Sequence, residues 1–295
     1  MQYNRRNFLK TAGLFTGGLA ACSFITKAMT NTGTSFNDLK TFGLQLWTIQ
    51  DAMGKDAKDS LRQVSTFGYK QIESFEGPKG MFWGMSNIEF KKYMDDLGMT
   101  IISSHCDINN TEAFEKKAAE ASAIGMKYLI CPWIGPQKTA DDYKAAADKF
   151  NRCGEICKKN NLRFAYHNHA YSFTPMSDGS FPQDIFMKNT DATLVDYEMD
   201  IYWVVAAGQD PVEWIEKYPN RFRLGHIKDR KKDTAPKDQD ASCDLGKGSI
   251  DFKKIAKLAS KNGMQYYIVE QEQFENETTL QAAEKDAKYM KELDV

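Results

Sequence analysis

From Phe42 onward, short apolar runs alternate with longer stretches in which apolar residues recur at helical spacing. The runs of strand length are 43–48, 71–75, 100–105, 128–133, 163–169, 193–200, 222–228 and 266–271. The helical patterns between them include 57–67, 87–97, 111–124, 140–159 and 251–261. Because parallel strands are joined by helical crossovers, this order predicts one α/β domain over residues 42–295, a (β/α)8 TIM barrel.

The alternative fold is an open, doubly wound α/β sheet. Such a sheet carries a glycine-rich phosphate-binding turn after its first strand. Here the sequence LWTI stands in that place, at 46–49, so the barrel is favoured. Four glycines that directly follow helical patterns are expected to adopt the left-handed conformation of a C-cap: Gly68, Gly98, Gly125 and Gly263.

The N-terminal segment predicts export. Residues 4–10 (NRRNFLK) resemble a twin-arginine signal, and the apolar stretch 11–21 is too short for a comfortable transmembrane helix. Residues 19–22 (LAAC) resemble a bacterial lipobox with Cys22 as the lipidated residue. Ordinary cleavage at an Ala-x-Ala-like site and a buried N-terminal helix are the alternatives. We therefore predict an export signal over 1–22, a linker over 23–41 and a periplasmic or membrane-anchored bacterial lipoprotein.

Composition narrows the possible partners. The 295 residues carry 39 basic and 40 acidic side chains, a formal net charge of −1, so no overall positive field attracts nucleic acid. Contact with a membrane is expected only through an N-terminal lipid. The cysteines after Cys22 are Cys106, Cys131, Cys153, Cys157 and Cys243. Their odd number and irregular spacing favour buried free thiols over a disulfide framework.

The candidate chemistry lies at the predicted strand ends. All four histidines of the chain lie at or near the C-terminal ends of predicted strands, and so do three carboxylates. These residues are Glu73, His105, His167, His169, Asp200, His226 and Glu270. In a TIM barrel such positions point into the active site. Imidazole and carboxylate groups from neighbouring strands can hold Mn²⁺, Mg²⁺, Fe²⁺, Co²⁺ or Zn²⁺, so binding of a divalent metal is predicted. Independent surface or core residues are the alternative.

On the fifth and sixth predicted strands, the sequence does not decide which side chain binds the metal. By strand alternation His167 and His169 face the same way, so one is expected to bind metal and the other to act as a base or contact substrate. Asp196, Glu198 and Asp200 share one face of the sixth strand, and three buried carboxylates would be costly. A bulge or an early loop would relieve that cost, and Glu198 is the weaker candidate ligand.

Aromatic residues indicate the class of ligand. Four tryptophans fall at or just beyond predicted strand ends, namely Trp47, Trp83, Trp133 and Trp203. Flat aromatic faces suit the C–H faces of sugar rings, whereas core packing is the alternative. The predicted substrate contacts are Trp47, Glu73, His105, Trp133 and Trp203.

The segment 229–244 is charged and contains Pro236, which predicts an exposed loop on the catalytic side, with a lid as the less favoured interpretation. The pair Gly246 and Gly248 is weak evidence for phosphate binding, because a third glycine and a preceding strand are lacking. It is predicted to form a turn into the last helix before the eighth strand, with Asp251 as the helix cap.

Several motifs, in this order, resemble the sugar phosphate isomerase/epimerase superfamily of xylose isomerase-like barrels (the AP endonuclease 2-type domain). They are YHNH at 166–169, Asp200 with Tyr202 and Trp203, GHIKD at 225–229, GKGSID at 246–251 and YIVEQE at 267–272. The resemblance covers residues 42–285. It implies one divalent metal ion bound by His167, Asp200, His226 and Glu270, with Glu270 also a candidate acid or base. Lys228 would hold a substrate oxygen, with a buried ion pair as the alternative.

The resemblance implies an isomerase or epimerase that abstracts a proton next to a carbonyl while the metal stabilises the enediolate. The candidate catalytic residues are His169, Lys228 and Glu270. Many epimerases of this type use glutamates on strands 5 and 8, but here strand 5 offers His167 and His169 instead. A lyase or hydratase acting on keto-sugars or keto-glycosides is therefore the alternative enzyme. A non-catalytic carbohydrate-binding lipoprotein is a second alternative, and a DNA-repair nuclease is disfavoured by the neutral charge and the few histidines.

Overall fold

The computed structural model describes residues 41–235 and 238–293. Within these residues, eight parallel strands close into a barrel in which consecutive strands pair and the last pairs with the first. The strands are β1 Gly43–Gln45, β2 Gln71–Phe75, β3 Thr100–His105, β4 Tyr128–Cys131, β5 Arg163–His167, β6 Val195–Asp200, β7 Phe222–Ile227 and β8 Tyr266–Val269. The predicted single-domain (β/α)8 barrel is confirmed.

Helices follow the barrel strands along the chain. They are α1 Gln50–Lys55, α2 Ala57–Phe67, α3 Asn87–Asp96, α4 Thr111–Ala123, α5 Ala140–Lys159, α6 Pro182–Asn189, α7 Ile201–Ala206, α8 Pro211–Lys217, α9 Phe252–Lys261 and α10 Thr279–Glu292. All four predicted cap glycines have positive φ, from 67° at Gly98 to 108° at Gly68. These caps end the helices because glycine adopts the left-handed conformation at no steric cost.

Several strands are shorter than predicted, and the difference matters for the site. β1 ends at Gln45, and Leu46–Ile49 form a 3-10 helix that lifts Trp47 above the sheet. β5 ends at His167, and a second 3-10 helix, Ala170–Phe173, begins directly after His169. His167 and His169 therefore belong to different local structures, which strand alternation alone did not predict.

The three acidic residues of β6 lie at successive positions along the barrel axis. At the N-terminal end, Asp196 is paired with the Arg163 guanidinium (Nη2 to Oδ1 2.7 Å) and with the Tyr128 hydroxyl (3.1 Å). A buried apolar layer lies between Asp196 and the polar, C-terminal end of the barrel. This layer includes Ile102, Ile130, Ala165, Leu224 and Ile268. The pairing of β6 with β7 shifts register between Tyr197 and Glu198, the kind of irregularity expected for this strand. Asp196 thus has partners of its own, whereas Glu198 and Asp200 share His167 and His226.

The segment after β7 is more structured than predicted. Asp229–Arg230 pair antiparallel with Ser242–Cys243, so both ends of the predicted exposed loop are anchored to a small two-stranded sheet. Asp229 is buried and accepts hydrogen bonds from the backbone N–H groups of Gly246 (3.0 Å) and Gly248 (2.9 Å). A Cβ atom at Gly248 would lie 2.1 Å from Asp229 Oδ1, so this glycine allows the backbone to wrap a carboxylate of the protein itself. Asp251 caps α9 as predicted, since its side chain accepts from Lys254 N.

Some predictions concern other parts of the chain. The predicted export signal at 1–22 and nearly all of the linker at 23–41 lie outside the described residues. Among the described helices, none combines the length and the apolar character needed to cross a bilayer. The five cysteines after Cys22 are free thiols, as predicted, and Cys243 alone among them is half-buried.

A buried acid on α10 gives the first testable prediction. Burial, reinforced by Asp244 and Glu277, raises the pKa of Asp286 well above its ordinary value, although Leu245 N donates to Oδ1. Because the folded state then holds this proton more tightly than the unfolded chain, the contribution of Asp286 to stability is present below the ordinary aspartate pKa. It is lost as the pH rises through the folded-state pKa. We expect Asp286→Asn to raise the free energy of unfolding by about 1–3 kcal/mol at pH 8 and to change it little at pH 4.

Urea unfolding at both pH values checks this expectation. Asp240→Asn is the matched control, because Asp240 is exposed. An equal effect of the two substitutions at pH 8 would contradict the role given to burial.

Candidate active site

The predicted polar residues meet inside the C-terminal end of the barrel. Glu73, His105, His167, Asp200, His226, Lys228 and Glu270 are each no more than 8% exposed. With Glu198 and Glu272 the group contains five carboxylates, of which three pair with Lys228 and two, Glu73 and Glu198, lie against His226. So much buried negative charge requires protons on the histidines or a bound cation.

We call the four predicted metal ligands the upper cluster: His167, Asp200, His226 and Glu270. His226 Nδ1 lies 3.2 Å from Glu270 Oε2 and 3.8 Å from Asp200 Oδ2. His167 Nε2 lies 3.9 Å from the same Asp200 oxygen. The ligand atoms of Asp200, His226 and Glu270 all lie within 4.8 Å of one another, a spacing that can hold a metal ion.

A second group lies one layer deeper and shares two of these histidines. We call it the lower cluster: His105, His167, Glu198 and His226. Glu198 Oε2 lies 2.8 Å from His105 Nε2, 3.1 Å from His167 Nδ1 and 3.3 Å from His226 Nε2. This cluster also has the spacing of a metal site. Glu198, the weaker candidate from sequence, is thus central to the site.

Glu73 lies below the cavity and not in its wall, contrary to its predicted role as a substrate contact. Its side chain is fully buried, and Oε1 lies 2.7 Å from His226 Nε2. Gln45 donates to Oε1 (2.8 Å), and Ser103 donates to Oε2 (2.6 Å). Because Gln45 and Ser103 fix the Glu73 carboxylate, Glu73 in turn fixes the position of the His226 ring.

Lys228 forms the buried ion pair that was considered as the alternative to a substrate contact. Its Nζ lies 3.2 Å from Asp200 Oδ2, 3.2 Å from Glu270 Oε2 and 3.0 Å from Glu272 Oε1. Although burial alone would lower its pKa, these carboxylates raise the pKa of Lys228 well above its ordinary value. The ammonium also lies 4.8 Å from the centre of the Trp203 ring. Lys228 therefore remains a cation.

Electrostatics divides the histidines into two kinds. Burial disfavours their charged forms, but the Glu73 and Glu198 carboxylates overcome this effect and raise the pKa of His105 to about 9. Glu198 and Glu270 likewise raise the pKa of His226 well above its ordinary value. Burial and the neighbouring His226 and His105 instead lower the pKa of His167. Without an ion, protons on His105 and His226 thus balance part of the negative charge.

His169 is a neutral imidazole in an aromatic setting. Its ring lies edge-on to Trp133, with ring centres 4.5 Å apart, and 5.3 Å from Trp203. Burial, together with the charge of Lys228, lowers the pKa of His169 to about 3. Its Nδ1 has no hydrogen-bond partner among the described residues. Nδ1 is itself buried, but the residue lines the main cavity, where a neutral imidazole can accept a proton or bind substrate.

The main cavity opens above these residues, with a volume of about 880 Å³. His105, His167, His169, Glu270 and Glu272 line its inner end. It continues outward past Trp133 to Asn109, Gln137, Asp142 and Lys149. This is a large pocket by the standard of small-molecule sites.

The tryptophans divide between cavity and core. Trp47 and Trp133 line the cavity and remain 42% and 54% exposed, and their role as substrate contacts stays a prediction. Trp203 is 7% exposed and covers Lys228, outside the cavity wall. Trp83 packs in the core and donates to Ser74 Oγ (3.1 Å), so for this residue the core-packing alternative holds.

Sequence reasoning missed Asn168 and undervalued Glu272. Asn168 donates to Asp200 O (3.1 Å) and accepts from Asp200 N (3.0 Å), so it fixes Asp200 to the end of β5. Its position between His167 and His169 in the YHNH motif was the available signal. Glu272 lies in the cavity wall and forms an ion pair with Lys228. The sequence signal for it was its position two residues after Glu270.

A closed (β/α)8 barrel with a buried histidine and carboxylate cluster at the C-terminal strand ends defines a TIM-barrel protein equipped to hold a metal ion. Residues 61–293 match the family model described as the xylose isomerase-like TIM barrel, and the chain belongs to that family. The family-level resemblance found in the motifs is confirmed.

Solved structures of similar chains agree on the fold. A sugar phosphate isomerase/epimerase from Parabacteroides distasonis is 31% identical, with a TM-score of 0.72 over 89% of this chain and 97% of that chain. The IOLI protein, solved with a bound zinc atom, is 16% identical and superposes with a TM-score of 0.68 over 86% of this chain and 99% of that chain.

Curated relatives carry the name of a dehydratase. The inosose dehydratase of Clostridium perfringens is 31% identical over 166 residues, which are 52% of this chain and 55% of that protein. That of Geobacillus kaustophilus is 23% identical over 292 residues, 90% of this chain and 89% of that protein. The chain thus spans about half the length of the clostridial relatives it matches, and most of the Geobacillus protein at lower identity.

Proposed function

We propose that the protein is a metal-dependent lyase that removes water or an alcohol from a keto-sugar or keto-glycoside. The observation that carries this proposal is His169, a neutral imidazole in the cavity wall. A symmetric epimerase would need a second carboxylate base on strand 5, where this chain has His167 and His169. The similarity to proteins named inosose dehydratase supports the same class of reaction.

The upper cluster fits a divalent ion. Its side chains supply two imidazoles and two carboxylates, a donor set suited to Mn²⁺, Fe²⁺, Co²⁺ or Zn²⁺, and the neighbouring carboxylates leave excess negative charge to neutralise. We assign the ion to His167, Asp200, His226 and Glu270. When bound, such an ion acts as a Lewis acid that polarises a substrate carbonyl and acidifies the neighbouring C–H group.

We assign the proton transfers of the reaction to one residue of the chain, His169. We assign His169 to accept the proton from the carbon next to the carbonyl. The electron pair left behind then forms a carbon–carbon double bond as the C–O bond on the next carbon breaks. His169 then gives a proton to the departing oxygen, which leaves as water or an alcohol, so no oxidant or reductant is consumed. Lys228 has no exposed surface, and we assign it to holding Glu270 and Glu272 as carboxylates.

Isomerisation or epimerisation is the second candidate, favoured by the similarity to the Parabacteroides sugar phosphate isomerase/epimerase. Both reactions begin with removal of the proton next to the carbonyl. They differ in the product, because elimination leaves an unsaturated ketone, whereas epimerisation returns a proton to carbon.

Incubation of a metal-loaded protein with keto-sugars and keto-glycosides in D₂O, followed by NMR, separates these outcomes. We expect exchange next to the carbonyl together with a new vinyl signal and released water or alcohol. An epimer without loss of the leaving group would establish the isomerase instead. Sugar binding without exchange, both with and without metal, would favour the non-catalytic binding protein.

The outer part of the cavity predicts a preference for larger substrates. Trp133 is 54% exposed on that side. If a second ring packs on this indole, Trp133→Ala should raise KM for keto-glycosides by about 5- to 30-fold, equivalent to roughly 1–2 kcal/mol. KM for the free keto-sugar should change little.

Steady-state kinetics on both substrates measures this difference. Ile88→Ala is the control, since Ile88 is an exposed apolar residue outside the cavity. A uniform loss of kcat/KM on both substrates would contradict a separate outer contact.

We further propose that the protein acts outside the cytoplasm, a proposal that rests on residues 1–22.

A further inference from the structure

Glu198 lies where three imidazole rings converge. Its side chain is fully buried at the centre of β6. A single carboxylate oxygen, Oε2, faces His105 Nε2 (2.8 Å), His167 Nδ1 (3.1 Å) and His226 Nε2 (3.3 Å). Glu198 does not line the cavity, so a direct contact with substrate does not explain this arrangement.

Two of these histidines connect the lower cluster with the upper cluster. His226 turns Nε2 toward Glu198 and Nδ1 toward Glu270 (3.2 Å) and Asp200 (3.8 Å). His167 turns Nδ1 toward Glu198 and Nε2 toward Asp200 (3.9 Å). Each ring therefore has one nitrogen held from below and the other presented to the upper carboxylates.

The nitrogens that face the lower cluster are already occupied. Glu73 Oε1 lies 2.7 Å from His226 Nε2 and 3.2 Å from His105 Nε2, and Gln45 and Ser103 fix the Glu73 carboxylate. An imidazole nitrogen that donates its N–H to a carboxylate has no lone pair for a metal ion. The free lone pairs of His167 and His226 thus belong on Nε2 and Nδ1, on the side of Asp200 and Glu270.

We propose that Glu198 is the positioning residue of the metal site. Its carboxylate accepts the Nδ1–H group of His167 and lies beside the Nε2–H group of His226, which Glu73 accepts. Glu198 thereby sets the tautomer and ring orientation of His167, supports that of His226, and so directs an ion to the upper cluster and away from the lower one. Carboxylates that hold the second nitrogen of a ligand histidine commonly affect metal affinity by about 10- to 100-fold. This inference rests on the metal ion of the proposed function and adds the residue that decides where the ion is bound.

The test compares Mn²⁺ and Zn²⁺ affinities, measured by competition with a chelating dye, for the whole chain and four variants. Glu198→Gln removes the negative acceptor at constant size, and we expect about 10- to 100-fold weaker binding. Asp200→Asn and Glu270→Gln change the upper cluster, and each should weaken binding more than Glu198→Gln does. Glu76→Gln is the matched control, because Glu76 lines the same cavity but is paired with Lys117, and it should bind as the wild type does.

A spectroscopic measurement separates positioning from a general loss of structure. Electron paramagnetic resonance of the Cu²⁺-loaded wild type should show coupling to two imidazole nitrogens, those of His167 and His226. In Glu198→Gln at saturating Cu²⁺ the nitrogen pattern should change, while circular dichroism shows a folded chain. A variant that is only less stable would keep the wild-type spectrum in its folded fraction.

Several outcomes would overturn the inference alone. These are wild-type affinity and spectrum in Glu198→Gln, coupling to three nitrogens in the wild type, or loss of the ion from Glu198→Gln with retention in Asp200→Asn. The last two would place the ion in the lower cluster. Absence of any ion from the wild type after loading would overturn the proposed metal-dependent function as well.

Discussion

Replacement of His226 by alanine is expected to abolish both binding of the divalent ion and turnover. His226 belongs to both clusters and contacts Glu73, Glu198 and Glu270 through its two nitrogens. Its loss removes a ligand and leaves buried carboxylates without their shared partner. Since a catalytic ion supplies several kcal/mol of stabilisation at the reacting carbonyl, kcat/KM should fall by about 10³-fold or more.

Elemental mass spectrometry of the purified variant, alongside kinetics, measures both losses. Asp200→Asn provides an independent ligand change of almost constant volume, in case the alanine variant folds poorly. One ion per chain bound to His226→Ala with wild-type affinity would show that the ion lies elsewhere.

The pH dependence of ion binding follows from the same residue. The carboxylates around His226 raise its pKa, so below that pKa a proton competes with the ion for Nδ1. Ion affinity should therefore increase as the pH rises, with protons released on binding. Isothermal titration calorimetry in buffers of different ionisation enthalpy counts these protons, and an affinity that is constant between pH 5 and pH 8 would contradict this competition.

Replacement of His169 by asparagine is expected to leave the ion bound and to stop the chemistry. Asparagine retains a polar side chain but cannot accept the substrate proton. Loss of a general base typically costs about 10²- to 10⁴-fold in rate, so kcat should fall in that range while ion affinity and KM change little. Exchange of the proton next to the carbonyl with D₂O should fall in parallel.

The low pKa of His169 makes a further distinction possible. Burial and Lys228 lower this pKa to about 3, so the ring stays neutral at all higher pH values. At saturating ion, kcat should show no loss from protonation of His169 between pH 8 and pH 5. Wild-type exchange in His169→Asn, with the ion bound, would assign the base to another residue, and Glu272 in the cavity wall would then be the next candidate.

The residues that sequence located most accurately were those with a local signal. β2 and β3 have the predicted ends, because an apolar run between clear helices and glycine caps is visible along the chain. β5 was predicted two residues too long, since nothing local shows that His169 leaves the sheet for a 3-10 turn. The His169 ring packs against Trp133, which follows β4, and against Trp203, which lies in α7.

The sequence by itself determined the barrel and the placement of histidines and carboxylates at strand ends, whereas the ligand set His167, Asp200, His226 and Glu270 is implied by the family resemblance and stays a prediction. Strand period, helix period and turn residues are local properties, and the topology of a parallel barrel brings all C-terminal strand ends to one face. Only the tertiary structure decided how deeply each of these side chains is buried and which of them pair with one another. Glu73 and Glu198 support imidazoles from below, and Lys228 is surrounded by carboxylates, because side chains from separate strands converge at distances of about 3 Å.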